Sequence, residues 1–175
     1  AYEGPLVFRQ AVCDKYERDN GLKFDPKQVI STCGAAQAAY LVLTSFLDPE
    51  DEVLVPNPMY NIYENIAGVC GAKAVKYSLR EENDFQIDLD EFKSLITDKT
   101  KMIVICSPNN PTGKIMERDL LESWVERAVR DGSIILFDAA YECFVENGIK
   151  SIYEIENARN CVIEVGSLSK SAGFT

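Results

Sequence analysis

Histidine is absent from the 175 residues. That removes a Ser-His-Asp or Cys-His nucleophile pair, an imidazole metal ligand and a histidine general base. Whatever chemistry the chain carries falls to lysine, tyrosine, carboxylate or a cofactor. Basic residues are also scarce: 18 Lys and Arg against 28 Asp and Glu leave a formal charge of -10. Nucleic-acid backbones are held by Lys and Arg that neutralise phosphates, so no nucleic-acid partner is expected, although a single bound phosphate group is compatible with this charge. No apolar run reaches the length of a membrane span, and no membrane partner is expected. The six cysteines, Cys13, Cys33, Cys70, Cys106, Cys143 and Cys161, form no CxxC pair. They signal neither a zinc knuckle nor a redox dithiol, and no metal site is expected. No basic-plus-apolar leader opens the chain, which together with the cysteine usage points to a cytoplasmic protein.

What is present is a core. Hydrophobic residues make up 46% of the sequence, too many for disorder and enough for one packed domain. Strand and helix patterns alternate along it. Apolar positions between Leu6 and Tyr16 suggest a first amphipathic helix. Gln28 to Thr32 reads as a short strand, followed by Cys33-Gly34-Ala35-Ala36 and a helix rich in Ala and Leu through Phe46. Further strands are expected at Glu52 to Val55, Ala72 to Tyr77, Lys101 to Cys106, Ser133 to Phe137 and Cys161 to Val165. Helices are expected at Tyr60 to Val69, Leu89 to Ile96 and Glu117 to Val129, the last ended by Gly132. Continuous apolar strands separated by helices require a sheet with no solvated face. The class is therefore α/β, a mostly parallel sheet covered on both sides, and no linker or repeat divides the chain.

In such a sheet, ligands bind beyond the carboxyl ends of the strands. Special residues cluster there: Gly34-Ala35-Ala36 after the first expected strand, Asn109-Asn110-Pro111-Thr112-Gly113 after Cys106, Asp138 after Phe137, and Ser167 to Lys170 after Val165. Asp138 reads either as a cap or surface turn, or as a carboxylate facing a protonated ring nitrogen. Lys170 reads as a solvated cation, or as a pocket amine that bonds to an aldehyde cofactor and moves protons. Gly34 with the following amides is an ordinary turn or an anion site at a helix N-terminus, and Ser167 is a turn cap or a further phosphate donor. Tyr60, after Pro56-Asn57-Pro58-Met59, is a buried structural aromatic or a rigidly held ring. A helical turn after Asp138 would put Tyr141 on the same side as the carboxylate.

Taken together, Asn110-Pro111-Thr112-Gly113, Asp138 followed by Tyr141, and Ser167-x-x-Lys170 resemble, in order and spacing, the large domain of the fold-type I pyridoxal-phosphate enzymes, specifically the class I/II aminotransferases. The resemblance covers nearly the whole chain. It implies a three-layer sandwich around the sheet, with pyridoxal 5'-phosphate as cofactor and amino-acid and 2-oxo-acid substrates. It further implies Lys170 as the residue that bonds to the cofactor's aldehyde carbon and moves the substrate α-proton. Asp138 corresponds to the partner of the pyridine nitrogen, Asn110 and Tyr141 to donors to the phenolic oxygen, and Tyr60 to the ring stacked on the cofactor. Ser167 and the amides of Ala35 and Ala36 correspond to part of the phosphate cup.

The stretches Cys106 to Gly113, Asp138 to Tyr141, Ser151 to Ile155 and Ser169 to Thr175 look like LL-diaminopimelate aminotransferase, whose members transfer an amino group between glutamate and the precursor of LL-2,6-diaminopimelate. Those enzymes typically carry Gly-Ala-Lys where this chain has Gly34-Ala35-Ala36. The segment Cys33 to Tyr60 looks more like an aromatic or branched-chain aminotransferase. Another fold-type I reaction, a lyase or a synthase, and a nonenzymatic nucleotide or regulatory module are the alternatives, although no GxGxxG or GxxxxGK[ST] follows a strand. The resemblance also implies a homodimer for the full-length parent. Residues 1–175 then form an incomplete large domain, with the small domain, the N-terminal arm and a second phosphate anchor outside it, and this piece alone is expected to be inactive.

Overall fold

A computed structural model describes residues 2–174; Ala1 and Thr175, the last residue of the Ser169 to Thr175 stretch, lie outside the described residues. The apolar runs form five strands: β1 (Glu52–Asn57), β2 (Lys73–Ser78), β3 (Thr100–Cys106), β4 (Ile134–Asp138) and β5 (Val162–Val165). All pair in parallel in the order β2-β1-β3-β4-β5. Six helices accompany them: α1 (Leu6–Asn20), α2 (Gly34–Phe46), α3 (Ile62–Val69), α4 (Leu89–Leu95), α5 (Arg118–Asp131) and α6 (Leu168–Ser171).

Side chains alternate between the two faces of each strand, so both faces need cover. On one, Val53, Val55, Met102, Val104 and Leu136 pack with Ala39 and Leu43 of α2 and with Tyr63, Ile66 and Ala67 of α3. On the other, Leu54, Ile103, Ile105, Ile135 and Phe137 pack with Phe92 of α4 and Leu121, Trp124 and Val125 of α5. Burying each such aliphatic side chain stabilises the fold by about 1.5–3 kcal/mol. The result is the expected three-layer α/β sandwich. Helix α5 buries its Leu121, Trp124, Val125 and Ala128 stripe and stops at Gly132, whose φ of 72° suits a residue without Cβ. The crossover from β4 to β5 contains three short 3₁₀ turns, Glu142–Phe144, Ile152–Glu154 and Ala158–Asn160, in place of a helix.

Two expectations are corrected. Gln28 to Thr32 is not a strand. Pro26 and the capping box between Asp25 and Gln28 make a 3₁₀ turn there, Ser31 donates its N–H to Glu3, and Ile30 stays 63% exposed. A β-prone pair of residues that pairs with no strand stays irregular whatever its local propensity. Gly34-Ala35-Ala36 therefore opens α2 after irregular chain. The first helix forms and is longer than expected, but its Leu6 lies in solvent and Cys13 is its one buried residue. Polar contacts attach α1 instead: the Tyr16 hydroxyl donates to Glu164, Lys15 pairs with Glu142 at 2.8 Å and Asn20 donates to Glu154 at 3.1 Å.

Candidate active site

The carboxyl ends of β3, β4 and β5 are stitched side by side. Cys106 is in register with Asp138, and Asp138 with Val165. The Ser107 N–H donates to the Asp138 carbonyl at 3.1 Å, and the Ala139 N–H to the Val165 carbonyl at 2.8 Å. Whatever follows each strand is therefore delivered to one place.

After β3 the chain makes the tight turn that its composition demands. Asn109 Oδ1 accepts from the Thr112 N–H and hydroxyl, and Gly113, at φ 73°, donates its N–H to the Asn109 carbonyl. This turn sets Asn110 so that its Nδ2 donates to the Tyr141 hydroxyl at 3.3 Å. Asn110 and Tyr141, with Pro108, Gly113 and Phe144, line a cavity of about 320 Å³. Tyr141 follows Asp138 in a turn rather than a helix. After β5, Ser167 caps α6 by accepting the Ser169 N–H at 3.2 Å, which leaves its own hydroxyl proton to donate. Lys170, exposed on α6, holds its Nζ 5.3 Å from the centre of the Tyr141 ring.

Asp138 is buried, not a surface turn. Its Oδ1 accepts the Ala140 N–H at 2.9 Å and its Oδ2 accepts the Tyr63 hydroxyl. Removal from water raises its pKa, and these two donors only partly offset that. Among the described residues no Lys or Arg forms an ion pair with it. Beside it, burial first and the charge of Asp138 second push the Cys106 thiol up to about 12, so this cysteine is a small neutral core residue. Burial likewise raises the Tyr63 phenol well above its ordinary value, with Asp138 adding to the effect.

The structure thus brings Asp138, Asn110, Tyr141 and Lys170 to neighbouring strand ends. Tyr60, Ala35, Ala36 and Ser167 make no hydrogen bond to that group among the described residues. Tyr60 stands just before α3 and is 54% exposed, so the reading of it as a buried structural ring does not hold. Ala35 and Ala36 lie in the first turn of α2, whose N-cap Cys33 offers no side-chain cap to the free amides. Sequence reasoning missed Tyr63. Its signal was a tyrosine within the apolar stripe of α3, where a buried hydroxyl requires a partner.

The family model described as "Aminotransferase class I and II" matches residues 1–175. The chain belongs to the class I and II aminotransferases. An aromatic-amino-acid aminotransferase 2 of Thermococcus litoralis is 36% identical over 98% of this chain and 45% of its own length. An LL-diaminopimelate aminotransferase of Halothermothrix orenii is 35% identical over 100% of this chain and 46% of its own. Among solved structures, an aspartate aminotransferase of Thermus thermophilus superposes with a TM-score of 0.92 at 30% identity, covering 98% of this chain and 44% of that one. The chain spans slightly under half the length of these relatives.

Aminotransferases of this class use pyridoxal 5'-phosphate, and the donor set suits that cofactor. A buried carboxylate without a cation suits a protonated ring nitrogen, an amide and a phenol meet where a phenolic oxygen needs donors, and unspent helix amides suit a phosphate.

Proposed function

We propose that this chain is the cofactor-binding part of an enzyme that transfers an amino group between an amino acid and a 2-oxo acid. The observation that supports the reading is that Asp138, the Asn110–Tyr141 pair and Lys170, whose Nζ lies 5.3 Å from the centre of the Tyr141 ring, end or follow three adjacent strands. Pyridoxal 5'-phosphate supplies the electron sink. In this reading the chain's own residues supply position and proton movement. Asp138 holds the ring nitrogen in its protonated form, Asn110 and Tyr141 fix the phenolic oxygen, and Tyr60 covers a ring face. The hydroxyl of Ser167 and the amides of Ala35 and Ala36 hold phosphate, and Lys170 carries the α-proton from the carbon it leaves to the carbon it joins.

LL-2,6-diaminopimelate with 2-oxoglutarate is the substrate pair proposed first, on the resemblance of the Cys106 to Thr175 stretches and a relative of that name. An aromatic or branched-chain amino acid is the second reading, favoured by Gly34-Ala35-Ala36 in place of Gly-Ala-Lys and by the Thermococcus relative. Relatives named for aspartate and for arginine and pyruvate lie in the same identity range, so the amino transfer is common to all while the side chain varies.

Two experiments on the full-length parent test this. Borohydride reduction of the cofactor-loaded protein should leave a stable adduct on the Lys170 peptide, and an adduct elsewhere or none would reject the site. Incubation with diaminopimelate, aromatic and branched-chain donors should give paired amino-acid and oxo-acid products from one class. Pyruvate and ammonia without an amino acceptor would instead point to a lyase. A homodimer is proposed for the parent, and sedimentation reporting a monomer at assay concentration would remove it.

A further inference from the structure

Asp138 is held from two directions, and only one belongs to its own strand end. The Ala140 N–H engages Oδ1 from within the turn, whereas the Tyr63 hydroxyl reaches Oδ2 from α3, on the helical layer beneath. Tyr63 is 2% exposed and sits among the residues with which α2 and α3 cover that face of the sheet. A carboxylate turns easily about its last bond, because a tetrahedral-to-planar torsion has no sharp minima. The Ala140 contact alone tethers one oxygen and leaves the plane free. A second donor on a different element fixes the plane and decides which lone pairs remain for a ligand.

We propose that Tyr63 is a positioning residue for the cofactor's ring nitrogen, acting through Asp138: its hydroxyl orients the carboxylate and weakens its pull on the ring proton. The proposal rests on the reading of Asp138 as the ring-nitrogen partner. Two further observations agree with it. Burial and the neighbouring charge keep the phenol protonated, so Tyr63 is a permanent donor that never competes for the ring proton. The other titratable neighbour beneath the carboxylate, Cys106, is held neutral as well and directs its thiol to the Pro108 carbonyl at 3.4 Å. Tyr63 is thus the side chain of this trio that donates to the Asp138 carboxyl. A hydrogen bond donated to a carboxylate draws electron density from it and lowers its basicity. Without that donor the shared proton shifts from the ring nitrogen toward Asp138.

The test uses the full-length parent loaded with pyridoxal phosphate carrying heavy nitrogen in the ring, read by solid-state nitrogen resonance and by cofactor titration. Tyr63→Phe keeps the ring and removes only the hydroxyl. It should move the resonance toward that of a neutral pyridine and weaken cofactor affinity on the order of tenfold. Replacing Tyr63 with a ring-fluorinated tyrosine, a stronger donor of nearly the same shape, should move the resonance the opposite way. A purely structural tyrosine has no reason to track phenol acidity. Asp138→Asn separates the two claims. If Asp138→Asn shifts the resonance while neither change at Tyr63 does, the proposal is overturned and the reading of Asp138 stands. If none of the three shifts it, both fall.

Discussion

Placing Asp138 at a covered strand end costs free energy that its two hydrogen bonds return only in part, which is why its pKa stays raised. The same carboxylate can therefore oppose stability and serve chemistry. Asp138→Asn should raise the unfolding free energy of the cofactor-free protein by about 1 kcal/mol, measured by denaturant titration. In the cofactor-loaded parent the same change should lower kcat by roughly 10²–10³-fold, the scale of losing one preorganised charge contact. A stable variant with undiminished kcat would show that the carboxylate is structural. The residue types at the strand ends were visible in the sequence because each follows an apolar run. The partnership of Asp138 with Tyr63 was not, since the two lie 75 positions apart and meet only because α3 packs on that face of the sheet.

Helix α5 owes its position to one side chain more than to its charges. Trp124 is 1% exposed, stacks on Phe92 with ring centres 3.6 Å apart and approaches Tyr77 at 5.6 Å, joining α5, α4 and β2. Trp124→Ala should cost about 3–5 kcal/mol by the cavity it leaves. Trp124→Phe should cost less than Trp124→Ala, because it leaves a smaller cavity, keeps a ring against Phe92 and the buried indole N–H has no partner to lose. Thermal unfolding would rank the two.

At the other edge of the sheet, Glu164 on β5 accepts from the Tyr16 hydroxyl of α1, from the Ser151 hydroxyl at 2.8 Å and from the Ile152 N–H at 2.9 Å. Burial nevertheless outweighs these donors and pushes its pKa from 4.5 up to about 7. Between those values the folded chain binds more protons at this residue than the unfolded chain does. Its contribution is full below the lower value and is lost as pH rises through about 7. Stability should decline by a few kcal/mol at most over that interval. Glu164→Gln should flatten this part of the pH profile, and an unchanged slope would assign the decline to other groups. Helices and strands with a continuous apolar pattern were legible because both faces of the sheet had to be covered. Gln28 to Thr32 and the exposed face of α1 were not, because local propensity does not say whether a sheet edge or a core is within reach.

For the whole molecule, the site is open on the side where Tyr60 and Lys170 meet solvent, and the proposed phosphate cup of Ala35, Ala36 and Ser167 consists of two backbone amides and a hydroxyl, none of them charged. The 175-residue chain should therefore bind pyridoxal phosphate far more weakly than the parent, read as the absorbance band of the bound cofactor in parallel titrations. Equal affinity would mean that these residues suffice. What the sequence determined alone was the class of sheet, the order of its elements and the residue types that gather at the strand ends, because hydrophobic periodicity and turn chemistry are local. Which of those residues meet, how Asp138 is oriented, and that α1 is fastened by Tyr16 and Lys15 rather than by an apolar stripe were decided by tertiary structure. Those are contacts between distant segments, and their free energy exists only once the layers have packed.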